Sequence, residues 1–211
     1  MARSAAASET LPDDDALTGR IVQAALDQAE RDGWENVRLR LVADQLGVPL
    51  REIGNHVRDL DAVADAWFAS GWKAMQQPLP PDIAALPAGD RLEAVLWRWV
   101  ESLSPHRRVT VDMLKTKLWL FHPHHWLPLP FNLSRTIRWL REAAGCDDAS
   151  PRREVEEVGL TWLFLATLAV WSRDDNENQK RTRHFLHHRL ADASSLITFL
   201  FGAQSSRRVA S

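Results

Sequence analysis

The chain has 211 residues, a formal net charge of −2 and a pI of about 6.4. That length holds one large domain or two small ones around a sizeable core, and the charge excludes a global basic field that would draw the whole chain onto nucleic acid. Cys146, the single cysteine, excludes an internal disulfide framework and a cysteine-rich metal site and fits a reducing cytosol.

Apolar residues recur at three- and four-residue spacing throughout and strand signals are nearly absent, which predicts an all-α protein of about nine helices. The opening residues, MARSAAASETLPDDD, lack the apolar core of a signal peptide and are acidic where a transit peptide is basic; residues 1–15 read as a disordered tail. A first helix is predicted from Ala16 to Asp32, with Ile21, Ala24, Ala25 and Ala29 facing inward and Gly33 as its stop. In the stretch from Val37 to Phe68 an apolar helix (Leu39, Leu41, Val42, Leu46) ends at Gly47, a short helix starts at Pro49, and a third begins near Leu60. Helix, glycine-containing turn and helix is the sequence form of a helix-turn-helix, whose second helix can lie in the DNA major groove. The third helix runs to Met75.

PLPPDIAALP, from Pro78 to Pro87, marks a boundary between an N-terminal module, 16–77, and a C-terminal one, 88–202. Further helices are predicted from Gly89 to Leu103, from Pro105 to about Phe121, from Asn132 to Ala144, from Ser150-Pro151 to about Arg173, and from about Lys180 to Phe201. HPHHWLPLP reads as a loop, SRDDNENQ as a polar turn and 203–211 as a tail. The longest apolar run, Val158 to Trp171, falls short of the roughly 20 residues that span a bilayer.

Around the helix-turn-helix, Arg38, Arg40, Arg51, Asn55, His56 and Arg58 are the candidate DNA contacts. Arg51 and Asn55 lie at i and i+4 on one helix face; arginine pairs with guanine O6/N7 and asparagine with adenine N6/N7, while the other arginines hold phosphates and fix register. Between Val37 and Arg58 the four arginines exceed Asp44 and Glu52, a local surplus of +2.

Ten tryptophans and no tyrosine point to a large apolar interior. Trp99, Met113, Trp119, Phe121, Trp126, Trp139 and Trp162 are the candidate lining of a pocket for an apolar small molecule or lipid such as an acyl chain, an isoprenoid or a hydrophobic drug. The helix ending near Arg173 is apolar nearly all round from Val158 onward and needs partners on all sides. Leu163, Val170, Trp171, Phe185, Leu196 and Phe199 therefore read as a homodimer interface built from the last two helices. His184, His187 and His188 fall on one helix face but lack a carboxylate or cysteine at ligand spacing, and three neighbouring arginines would repel a cation, so no metal and no cofactor is expected. Enzyme signatures are missing: no G-x-S-x-G and no phosphate-cradling glycine loop.

Val42-Ala43, Leu46-Gly47-Val48, Ile53, His56-Val57 and Ala62-Val63 together resemble the DNA-binding domain of TetR-family transcriptional regulators, over about 50 residues. The resemblance implies a homodimer, a palindromic DNA operator and a variable ligand-binding bundle whose last two long helices join the subunits. In that family pattern the recognition helix usually carries a tyrosine where Gly54 stands here, a lysine opens the next helix where Leu60 stands, and a capping serine occupies the place of Pro49. A second resemblance, through DAWF (Asp65 to Phe68), HPHHWLPLPFNLSRTIRWLREAAG and TWLFLATLAVWSRDD…RHFLHHRLAD, is to a TetR-like lipid-binding accessory family of ubiquinone biosynthesis. It implies a lipid ligand, a membrane surface as partner, and a helix-turn-helix that no longer reads DNA. The first resemblance sets the expectation adopted here, a cytoplasmic, non-enzymatic, ligand-sensing DNA-binding dimer.

Overall fold

A computed structural model of the chain describes residues 11–118, 128–145 and 153–192, and among them there is no strand. The helices are α1 (Leu11–Asp32), α2 (Leu39–Leu46), α3 (Leu50–His56), α4 (Leu60–Met75), α5 (Pro81–Ala84), α6 (Ala88–Leu103), α7 (Arg107–Leu118), α8 (Pro128–Ala143), α9 (Arg153–Trp171) and α10 (180–192). Two compact units result. The first holds the chain up to Gly71 and the return from Leu103 to Leu120; the second holds the rest.

In the first unit α1 is the hub, in contact with α2, α3 and α7. Ile21, Ala24, Ala25, Leu26 and Ala29 form its buried stripe, closed by Val42 and Ala43 of α2, Ile53 of α3, and Val109 and Met113 of α7. Gly33 stops α1 at φ 88°, its amide donating to Ala29 O at 2.9 Å. Trp34 and Val37 are buried just beyond, and the Arg38 amide donates to the Oε1 of buried Gln28 at 3.3 Å. Trp67 of α4 donates from Nε1 to Thr110 Oγ1 of α7 at 2.8 Å, and that hydroxyl donates to His106 O.

Several boundaries differ from the sequence expectation. α1 begins at Leu11, inside the stretch read as a tail; Pro12 suits a helical first turn. α8 begins at Pro128, so the end of the expected HPHHWLPLP loop is helical; prolines fit a first turn, where their missing N–H has no partner to lose. α7 belongs to the first unit, not to an 88–202 bundle: the proline-rich break is a covalent landmark, whereas unit membership follows which apolar stripes meet. Residues 1–10 and 203–211 lie outside the described residues.

The second unit buries Val95, Leu96, Trp99 and Val100 of α6, Ile137 and Leu140 of α8, Phe164 and Trp171 of α9, and Leu186 and Leu190 of α10. Arg91 fastens the α8 end to α6, donating to Ala144 O at 2.6 Å, Leu86 O at 2.8 Å and Gly145 O at 3.3 Å. Asp174 fastens the turn from α9 to α10. Its carboxylate accepts from the Thr182 amide and hydroxyl, both at 2.7 Å, and from the Asn176 side chain and amide at 2.9 and 3.3 Å.

Burial alone would raise the Asp174 pKa, but these bonds from Thr182 and Asn176 outweigh it and hold the carboxyl below its ordinary value. A carboxyl whose pKa is depressed on folding stabilises the fold above the ordinary carboxylate range, and that contribution is lost as pH falls through its own lower pKa. The gap in thermal midpoint between the wild type and Asp174→Asn is therefore expected to be full at pH 7 and to shrink below about pH 4, as read by melting curves across a pH series.

Candidate nucleic-acid interface

The turn between α2 and α3 sets the site. Gly47 adopts φ 67°, ψ 28°; its amide donates to Asp44 O at 3.3 Å and the Val48 amide donates to Ala43 O at 3.1 Å. This pair of bonds requires a left-handed residue, which costs an L side chain about 1–2 kcal/mol. Pro49 follows in extended conformation, and α3 starts at once with the Glu52 amide donating to Pro49 O at 2.9 Å.

α3 is amphipathic in seven residues. Ile53, and Val57 just past its end, are buried, while Leu50, Arg51, Gly54 and Asn55 are exposed, as is Arg58 beyond. The Arg51 guanidinium has no hydrogen bond or ion pair among the described residues. Asn55 Nδ2 donates to Glu52 Oε2 at 3.4 Å, a long bond that a base edge can replace. Arg40 pairs with Asp44 at 3.4 Å and Arg58 with Asp59 at 3.1 Å, all well exposed. Such surface pairs contribute about 0–1 kcal/mol and yield readily to a phosphate. Arg38 donates to the Glu35 and Val37 carbonyls, both at 2.8 Å, so its charge is fixed beside the start of α2. Asp59 caps α4, accepting from the Ala62 amide at 2.8 Å.

His56 is placed differently from the expected DNA contact. Its side chain is 7% exposed and turned toward α1, with Nδ1 3.3 Å from Thr18 Oγ1 and Nε2 3.7 Å from Glu52 Oε1. Residue 56 falls off the outer face once Ile53 and Val57 are buried, because the helical period carries it round toward α1.

The structure also redistributes the expected pocket residues. Met113 is buried in the first unit, on α7. Trp99 is packed edge-on against Phe164, ring centroids 5.1 Å apart. Trp139 is exposed and Trp162 is 70% exposed, so neither lines an interior. Trp119, Phe121 and Trp126 lie outside the described residues. A depression of about 660 Å³ opens beside the start of α10, lined by Asn176, Lys180, Arg181 and His184; none of the expected pocket residues that are described borders it.

Among the expected interface residues, Trp171 is fully buried within the chain, with Nε1 donating to Gln179 Oε1 at 2.8 Å, and has no surface left for a partner. Leu163, Val170 and Phe185 are half-buried. Leu196 and Phe199 lie outside the described residues. Sequence reading missed Leu50, 50% exposed at the start of α3. Its spacing with Ile53 and Val57 signals a buried position, and only the packing of α1 shows where the covered face stops. It also missed that Val158 and Trp162 form the outward side of α9.

No family model and no curated protein matches the sequence. Among solved structures, the TetR transcriptional regulator from Nitrosomonas europaea ATCC 19718 matches with a TM-score of 0.75 and 34% identity, over 85% of this chain and 98% of that one. The chain belongs to the TetR family of transcriptional regulators. α2, the Gly47 turn and α3 form the helix-turn-helix expected from the sequence.

The two sides of α3 respond differently to truncation. His56→Ala is expected to lower stability by about 1 kcal/mol, since it removes a part-buried polar contact to α1. Arg51→Ala is expected to change stability by less than about 0.5 kcal/mol, as surface substitutions do. Urea melts of both variants check this.

Proposed function

We propose that the protein is a homodimeric DNA-binding regulator that senses an apolar small molecule in its second unit. The observation that carries this reading is the outer face of α3, where Arg51 stands free of partners among the described residues beside exposed Asn55. Arginine and asparagine are the side chains that pair bidentately with guanine and adenine in the major groove. Arg40 and Arg58, in weak exposed pairs, serve as phosphate ligands. The local surplus of +2 per subunit doubles in a dimer, a modest charge that adds phosphate contacts to the base contacts, while the whole chain carries −2.

Dimerisation is supported by α9. Val158 is 58% exposed and Trp162, one turn on, is 70% exposed, with Gly159 and Ala169 also exposed. This apolar stripe fits a second copy about a two-fold axis. Two α3 helices held one helical turn of DNA apart, about 34–36 Å, would read a palindromic operator. Ligand sensing is supported by Trp99 Nε1, a buried donor with no hydrogen-bond partner among the described residues; such a group costs about 1–3 kcal/mol until it meets an acceptor. A ligand bound in one spacing of the two recognition helices would shift the population away from the DNA-bound spacing. The cytoplasm is the location that goes with this role; no described helix is long and apolar enough to cross a membrane.

Fluorescence anisotropy against the protein's own upstream duplex, with a scrambled control, tests the DNA reading. Selective binding with a steep loss of affinity as salt rises is the expected result, and Arg51→Ala is expected to weaken it by about tenfold or more while keeping the native melting curve. No selectivity at low salt overturns the reading and leaves the lipid-binding alternative, to be read by extracting lipid from the purified protein. For the dimer, Trp162→Glu is expected to give a monomer in sedimentation, because a charge buried without a partner disfavours the interface; a wild-type protein that is already monomeric sinks the dimer.

A further inference from the structure

Gly54 lies in the middle of α3, and nothing among the described residues calls for glycine there. Its φ is not among the positive values, which belong to Gly33, Gly47 and Gly145. A Cβ added at Gly54 would meet nothing within 4 Å. Glycine within a helix costs about 1 kcal/mol relative to alanine, a large share for a helix of seven residues. No described contact within the chain therefore accounts for the glycine.

One turn back on the same helix surface are Leu50 and Arg51, at i−4 and i−3. Arg51 is long and reaches a base edge from a helix that lies high in the groove. Leu50 is short and apolar and reaches one only if the helix lies deep. A side chain at residue 54, in the space between the helix axis and the DNA, would hold α3 away.

We propose that Gly54 is the point of closest approach between α3 and DNA, and that the bare backbone there lets Leu50 touch a thymine methyl group beside a guanine held by Arg51. The C5 methyl is the apolar feature of the major groove, and a backbone without Cβ is the usual means of close approach. The proposal rests on the DNA-binding reading above. It makes Gly54, which stands where the family pattern has a tyrosine, a depth-setting residue.

The test uses the full-length protein and a duplex selected by it from a random pool. Gly54→Ala is expected to melt a few degrees higher, as a better helix former does, yet to bind the selected duplex about tenfold more weakly. Its low-salt binding to unselected duplex is expected to change by less than about twofold, because phosphate contacts are untouched. Replacing thymines of the half-site one at a time by uracil removes only the methyl. At one position this is expected to weaken wild-type binding about fourfold and to leave Leu50→Ala unaffected. Gly54→Ala that binds as tightly as the wild type overturns the proposal, and so does Gly54→Ala that melts lower, which would mean that the fold itself uses the glycine. A flat uracil scan overturns the Leu50 contact. If the wild type selects no duplex at all, the DNA-binding reading itself falls, whereas selection with an indifferent residue 54 removes only this inference.

Discussion

A helix of seven residues does not hold its shape in water, because nucleating the first turn costs more than so few hydrogen bonds return. α3 exists because Ile53, with Val57 at its end, is buried against the hub helix α1. Burial of each such side chain contributes about 1.5–3 kcal/mol, more than any surface pair around the site. The outer face of α3 is therefore whatever the inner contacts leave over. Gly47 makes that geometry possible: its left-handed turn lets α3 begin within three residues of the end of α2, so both helices reach the same α1 stripe. Every exposed residue proposed to meet DNA depends on this arrangement, though none of them takes part in it.

The same constraint sorts the polar residues near the site into two kinds. Those on the inner side are consumed by the fold: Gln28 accepts the Arg38 amide and His56 meets Thr18. Those on the outer side have only weak partners, as Arg40 has in Asp44, or none among the described residues, as Arg51. Weakly held charges exchange readily for phosphate, whereas strongly held ones serve as scaffolding. An outer face that is inexpensive to desolvate and a rigid frame behind it thus come from neighbouring residues of α1, α2 and α3.

The tryptophans show how side chains of one type acquire opposite roles. Trp67 and Trp171 are buried and each gives its indole N–H to a side-chain oxygen, Thr110 and Gln179 respectively. Trp99 is buried without such an acceptor, and Trp162 faces water. An indole carries both a large apolar surface and a polar tip, so its environment decides between packing, ligand contact and association. In the second unit the buried aromatics fill the core, while Trp162 of α9 is the side chain proposed to meet a second copy.

The sequence alone determined the helical class and the helix-turn-helix, because three- and four-residue apolar spacing and the Gly47 stop are local features that short-range physics reads directly; the family was legible only as a resemblance, through residues such as Leu46-Gly47-Val48 and His56-Val57. It also located the boundaries of α2, α3 and α4 to within a residue or two. Which side of each helix faces a neighbour was decided only in three dimensions. Leu50, Ile53 and Val57 share one spacing, yet Leu50 lies half in water; His56 looked like a DNA contact and turned inward; Trp171 looked like an interface residue and became core, while Trp162, expected in a pocket, faces outward. Periodicity says that a helix has an apolar side. The angle at which that side ends depends on the width of the element packed against it, and that is a property of the tertiary arrangement.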